Sequence, residues 1–232
     1  MHDRLQGRRV VVIGGSGTLG RAVARRAHQG GAQVVIVSRT AEANTASLRE
    51  TVGENVTTRS LDVTDTASLT AGLADIGAID HLVFAVRLSA PSAPLLEADL
   101  GAARAAFESK LWGPWQCIRA AHTCLAERSS ITLTSGIAGE RIYPGAGVMA
   151  LLNGATEALC RTLAVELAPR RVNAVSPGFV APKGEDIQSF ARELPVPRLI
   201  EADEVAESFF YAMVHPTLTG TILHVDGGAR LV

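Results

Sequence analysis

Short, β-branched apolar runs alternate along this chain with longer segments whose apolar positions recur at helical spacing. RVVVIG (9–14), QVVIVSR (33–39), DHLVFAV (80–86), SITLTS (130–135), RRVNAVSPG (170–178) and TILHVDGG (221–228) predict strands, with a weaker one inside VTTRSLDV (56–63). TLGRAVARRAHQGG (18–31), a long region over about 95–127, one helix over 146–168 and EADEVAESFFYAMVHP (201–216) predict helices. Gly113-Pro114 is expected to divide or bend the second of these. Continuously apolar strands separated by helices imply right-handed crossovers and a parallel sheet covered on both faces. The expected fold class is therefore α/β, a doubly wound sheet of seven strands in a single domain over 1–232. The irregular stretches, 87–94 and the proline- and charge-rich 179–198, both follow strands, where such a sheet builds its ligand crevice.

Composition narrows the function classes. A net charge of −1 gives no electrostatic pull toward nucleic acid or acidic membranes. No apolar run in the sequence reaches the 18 or so residues of a membrane span, so a membrane is not an expected partner either. Cys117, Cys124 and Cys160 lack CxxC or metal-ligand spacing, and no metal is expected. An odd, scattered set of thiols, without an export signal in the charged MHDRLQGRR start, reads as reduced cysteine in a cytoplasmic protein.

Chemistry enters at the first strand–helix turn. VVVIGGSGTLGRAVA places Gly14, Gly15, Gly17 and Gly20 there, with Ser16, Thr18 and Leu19 between them. Glycine lets a backbone turn sharply and approach a pyrophosphate, and the helix start behind it offers unpaired N–H groups. In this context GxGxxG is a fairly strong sign of a dinucleotide, with a ligand-free tight turn as the bland reading. The second strand ends in Ser38-Arg39, where a fold preferring NAD carries an acid for the ribose 2′-hydroxyl. Arg39 suits a 2′-phosphate, which makes NADP the expected cofactor; a solvated surface arginine is the alternative.

With these motifs in place, the chain resembles a short-chain dehydrogenase/reductase from about residue 8 to its end. The resemblance implies a Rossmann-like sheet in the order 3-2-1-4-5-6-7. LDVTD (61–65) looks like the segment in which Asp62 bonds the adenine and the Val63 backbone lines it. RVNAVSPGFV (171–180) matches RVNxVxPGxV, in which Pro177, Gly178 and Val180 border the nicotinamide. GTILHVDGG (220–228) matches the C-terminal GxxxxVDGG, and GATEALCRTLAVELAP (154–169) fits the active-site helix. The family also implies a homotetramer, or a homodimer, through the helices near 100–127 and 146–168.

The departures from the family pattern fall in the chemistry. The phosphate turn TGxxxGxG reads Ile13-Gly14-xxx-Thr18-Leu19-Gly20, and NNAG corresponds to FAVR (84–87), leaving Ala85 to approach the adenosine ribose. The structural asparagine of the long helix falls at Lys110, the catalytic serine at Gly136, and YxxxK at Met149 and Asn153. Thirteen residues separate Gly136 from Met149, the spacing the family implies for its serine and tyrosine. In such an enzyme a lysine one helical turn away lowers the tyrosine pKa from about 10. Met149 has no proton to give, and Asn153 can bond a ribose but cannot tune a neighbour. Loss of general-acid help costs roughly 10²–10⁴ in rate while positioning survives.

Three readings stay open. The chain is an NADP(H)-dependent reductase of a small, unidentified carbonyl or alcohol substrate, with Asn153 among its candidate catalytic residues and the proton coming from water or from Tyr143, Lys110 or Arg141. Alternatively it is a non-catalytic NADP(H)-binding sensor or partner-binding pseudoenzyme. The third reading is a structural subunit that has lost its ligand, against which the retained glycines argue.

Overall fold

The computed structural model describes residues 4–86 and 90–232. Arg87 and its neighbours in the expected irregular stretch lie outside the described residues. The seven strands are β1 (Arg9–Ile13), β2 (Gln33–Ser38), β3 (Thr57–Ser60), β4 (Ile79–Phe84), β5 (Leu125–Thr134), β6 (Arg171–Pro177) and β7 (Ile222–Val225). They pair in parallel in the order β3-β2-β1-β4-β5-β6-β7. Val12 of β1 lies opposite Ile36 on one side and Val83 on the other, so the centre of the sheet is a ladder of fully buried aliphatic residues. Each buried aliphatic side chain contributes about 1.5–3 kcal/mol relative to exposure.

Helices cover both faces: α1 (Thr18–Gln29), α2 (Thr45–Val52), α3 (Thr66–Ile76), α4 (Leu100–Phe107), α5 (Gly113–Ala121), α6 (Gly147–Glu166), α7 (Glu185–Ala191) and α8 (Ala202–Val214). Val10, Val12, Val34 and Ile36 pack with α1 and α8 on one face. Val11, Ile13, Leu82 and Ile131 pack with α3, α5 and α6 on the other. β1 lies between β2 and β4, so the crossovers leave it in opposite directions and a crevice opens at the carboxyl ends of β1 and β4.

Four expectations need correction. The helical region expected over 95–127 runs only from Leu100 to Ala121, and at Gly113-Pro114 it changes helix type rather than stopping. A π-helical turn, Glu108–Trp112, joins α4 to α5, and Pro114, which has no N–H to donate back along the helix, follows it in the first turn of α5. β5 begins at Leu125, earlier than expected, because Leu125 pairs with Ile79 ahead of an irregularity in the β4–β5 ladder. The 179–198 stretch is not wholly irregular; it contains α7. Finally, α6 is long and apolar enough by composition to cross a membrane. Here it buries Val148, Leu152, Cys160 and Leu163 together with Asn153 and Glu157.

The short helices α2 and α3 had too little periodicity to be read in advance. Only Leu48 and Val52 of α2, and Leu69 and Leu73 of α3, are buried. The clear local signal is Asp65, whose carboxylate caps α3 by accepting from the N–H groups of Ala67 and Ser68.

Candidate active site and dinucleotide crevice

The glycine turn leaves β1 with Gly14 at φ +79°, a conformation that disfavours side chains. A Cβ on Gly14 would stand 2.7 Å from the Ala85 carbonyl oxygen, so the turn lies directly on the exit of β4. A Cβ on Gly20 would meet the Gly14 carbonyl at 2.3 Å, which holds α1 tight against the turn. Gly17 is the N-cap of α1 and offers no side-chain cap, so the N–H groups of the first turn, at Thr18 and Leu19, remain available to an anion. Leu19 also packs against the core.

A cleft of about 680 Å³ continues from this turn. Gly14, Ser16 and Gly17 line one end, Ser38, Arg39 and Thr40 the flank, and Asp62, Val63 and Thr64 the floor. The Ser38 hydroxyl is buried and has no hydrogen-bond partner among the described residues. Arg39 is exposed and forms no ion pair among them. Asp62 accepts hydrogen bonds from the Thr64 N–H at 2.9 Å and the Thr64 hydroxyl at 2.8 Å. Those bonds hold its carboxyl below the usual aspartate range, with Arg39 adding a smaller push the same way. An uncapped helix start, an unpartnered hydroxyl and a free guanidinium bordering one cleft fit a phosphorylated dinucleotide.

The cleft reaches Glu108 and Ser109 of the π-turn, and the next residue is Lys110. Its side chain is buried, 8% exposed. Nζ donates to Asn153 Oδ1 at 2.6 Å and to the Ser135 carbonyl at 3.3 Å, and lies 3.9 Å from Met149 Sδ. Asn153 Nδ2 donates in turn to the Gly136 carbonyl at 3.0 Å. That pair of contacts fixes the amide orientation, since a flipped Asn153 would turn its NH₂ toward an ammonium. The Ser135 hydroxyl donates to Glu157 Oε1 at 2.7 Å, and Glu157 is buried too. Burial pulls Lys110 down to about 8, against the opposing pull of the Glu157 carboxylate.

The structure thus brings Lys110, Gly136, Met149 and Asn153 together. Ser135 and Glu157 complete the cluster without having been assigned a part in it. The signal for Glu157 was its spacing, four residues beyond Asn153 and so on the same face of α6. A Cβ on Gly136 would stand 2.9 Å from Asn153 Nδ2, so a side chain there would disturb the amide.

Tyr143 is held elsewhere. Its hydroxyl donates to the Ala229 carbonyl at 3.2 Å, and its ring packs edge-on against Phe179 and Phe190. Burial raises its pKa, the wrong direction for an acid. Arg141 also donates to Ala229. At the exit of β6, Gly178 donates its N–H to Val225, and a Cβ on it would meet the Asp226 backbone at 2.8 Å. Pro177 ends β6, and Val180 bridges to Ile200. Asp226 closes the C-terminal turn by accepting from the Gly228 and Arg230 N–H groups.

Comparison with known proteins adds an independent line. A family model described as Enoyl-(Acyl carrier protein) reductase matches residues 15–230. Carbonyl reductase family member 4 of Danio rerio is 30% identical over 235 residues, covering 97% of this chain and 99% of its own. The cis-4-hydroxycyclohexanecarboxylate dehydrogenase of Sinomonas cyclohexanicum is 32% identical over the full length of both. Among solved structures, a small-chain dehydrogenase in complex with NADPH superposes with a TM-score of 0.84 at 30% identity, covering 98% of this chain and all of that one. A short chain dehydrogenase/reductase family protein reaches 0.88 at 27% identity, covering 99% and 100%.

Proposed function

Because the chain belongs to the short-chain dehydrogenase/reductase family of oxidoreductases, we propose that it is an NADP(H)-dependent reductase of a small carbonyl substrate. The observation that carries the cofactor choice is Arg39 at the end of β2, free at the flank of the cleft beside the unpartnered Ser38 hydroxyl. Gly14, Ser16, Gly17, Thr18, Leu19 and Gly20 would hold the pyrophosphate, Ser38 and Arg39 the 2′-phosphate, and Asp62, Val63 and Ala85 the adenosine. Asn153, Pro177, Gly178 and Val180 would border the nicotinamide end. The bound cofactor supplies the hydride that reduces the carbonyl carbon. The chain's own task is to position the carbonyl and provide a proton, and it does so without the family's serine, tyrosine and lysine: Gly136, Met149 and Asn153 stand in their places. The unpaired Cys117, Cys124 and Cys160 support a reducing, cytoplasmic setting.

A second reading has a specific observation in its favour. Every N–H of Lys110 already has a contact within the protein, as expected if the cluster only ties helices together in a non-catalytic NADP(H) sensor. Titration with NADPH and NADH, followed by a panel of ketones, aldehydes and enones, separates the two. Binding with turnover supports the reductase, binding without turnover the sensor, and absence of binding overturns both.

A further inference from the structure

Only two of the chain's 22 basic residues are lysines, Lys110 and Lys183. Everywhere else a cation is required, the chain uses arginine, which does not give up its proton in proteins. Among the described residues the one buried amine, Lys110, sits in the π-turn between α4 and α5, and π-turns concentrate at functional sites. Resting on the reductase reading, we propose that Lys110 is the proton donor to the substrate carbonyl, acting through the N–H that lies on Met149, with Asn153 and Ser135 as the positioning residues that aim it.

The three acceptors around the Lys110 ammonium are unequal. Two of the three N–H groups of Lys110 are taken by oxygens, Asn153 Oδ1 and the Ser135 carbonyl. The third meets only the Met149 thioether at 3.9 Å, a weak acceptor. A carbonyl oxygen is a much better one, and Met149 is half-buried on an unbranched, adaptable side chain that can give way to it. As the carbonyl carbon gains its hydride, the C=O π pair moves onto oxygen and takes one proton from Nζ. The products are an alcohol and a neutral amine, which regains its proton from water. Burial makes the amine a better acid than an exposed lysine, and the charge facing it is Glu157 of α6, which keeps the ammonium form populated near neutrality.

Two measurements on the full-length chain test this. With ¹³Cε-labelled lysine the spectrum holds two side-chain signals. Lys110 should titrate near pH 8, well below the ordinary lysine value of about 10.4. In NADPH-dependent reduction of the best substrate on the panel, Lys110→Met should lower kcat by 10²–10⁴-fold while the NADPH Kd moves less than about threefold. Lys110→Arg should be equally slow, and the parent's kcat should fall as pH rises through 8. A Lys110→Met chain keeping more than about a third of the parent kcat, or a Lys110 signal that titrates at the ordinary lysine value of about 10.4, overturns the assignment and leaves the reductase reading standing. A parent that binds NADPH yet turns over nothing on the panel overturns both.

Discussion

Arg39 and Ser38 follow one another at the end of β2 and border the cleft where the proposed 2′-phosphate would lie. Arg39→Ala should weaken NADPH binding by about 1.5–3 kcal/mol, roughly 10- to 150-fold, and leave NADH nearly unchanged, as isothermal titration would measure. Equal losses for both would remove the 2′-phosphate from the argument. A different test belongs to Lys110 and Asn153. Asn153→Lys alone would set a second ammonium against Lys110 in a buried site, at a cost on the order of 3 kcal/mol in urea unfolding. Adding Lys110→Asn should recover most of it, because the amine–amide bond re-forms with its ends exchanged. A double variant no more stable than Asn153→Lys would show that the bond is not what couples α6 to the π-turn. Lys110 and Asn153 were both legible as candidates from motif positions, but their contact was not. They lie 43 positions apart in the chain, and only the crossover through β5 brings them together.

Between β4 and β5 the elements are joined by a second buried polar link, His81 Nδ1 to the Ser130 hydroxyl at 2.8 Å. Burial lowers the His81 pKa to about 4, with Asp80 opposing. An unfolded histidine binds its proton near pH 6.5, so between 6.5 and 4 the unfolded chain is protonated while the folded one is not. Stability should therefore fall on acidification through that window, by on the order of 3 kcal/mol, and be fully present above it. Urea midpoints at pH 7 and pH 4.5 measure this; His81→Gln, less stable at pH 7, should lose visibly less between them. An unchanged pH dependence in that variant would assign the loss to other groups. Element by element, legibility followed burial. The strands with two buried faces stood out as unbroken apolar runs, whereas α2, α3 and α7 turn mostly polar surface outward and left little pattern. The π-turn left no pattern at all; Gly113, which follows it, lies so close to Val63 that a Cβ would stand at 2.7 Å.

The whole molecule carries apolar surface beyond what one sheet can cover. Trp112 and Trp115 stack with centroids 5.4 Å apart and are each about two-fifths exposed, and Leu151 on α6 is exposed as well. Leu159, also on α6, packs against the core instead. We propose that these helices meet their symmetry mates in a homodimer or a D₂ homotetramer. Light scattering at micromolar concentration should give a multiple of 24.3 kDa, and Trp115→Glu with Leu151→Glu should shift it toward the single chain. A parent that already scatters as a monomer would refute the assembly. The sheet order was legible because crossover handedness and strand adjacency leave few topologies to choose from. The faces left for a second copy were not, because the sequence pattern reports that a residue is apolar and not what finally covers it.

The scarcity of lysine has a practical consequence of its own. An acylating reagent that reacts only with neutral amines finds Lys183 on the surface at once, whereas Lys110 is shielded beneath Met149. Modification at Lys110 thus counts openings of the cluster it forms with Asn153 and Met149, and Lys183 in the same molecule reports the dose of reagent. The native chain carries a two-channel clock for its own breathing, readable by mass spectrometry without any engineered label.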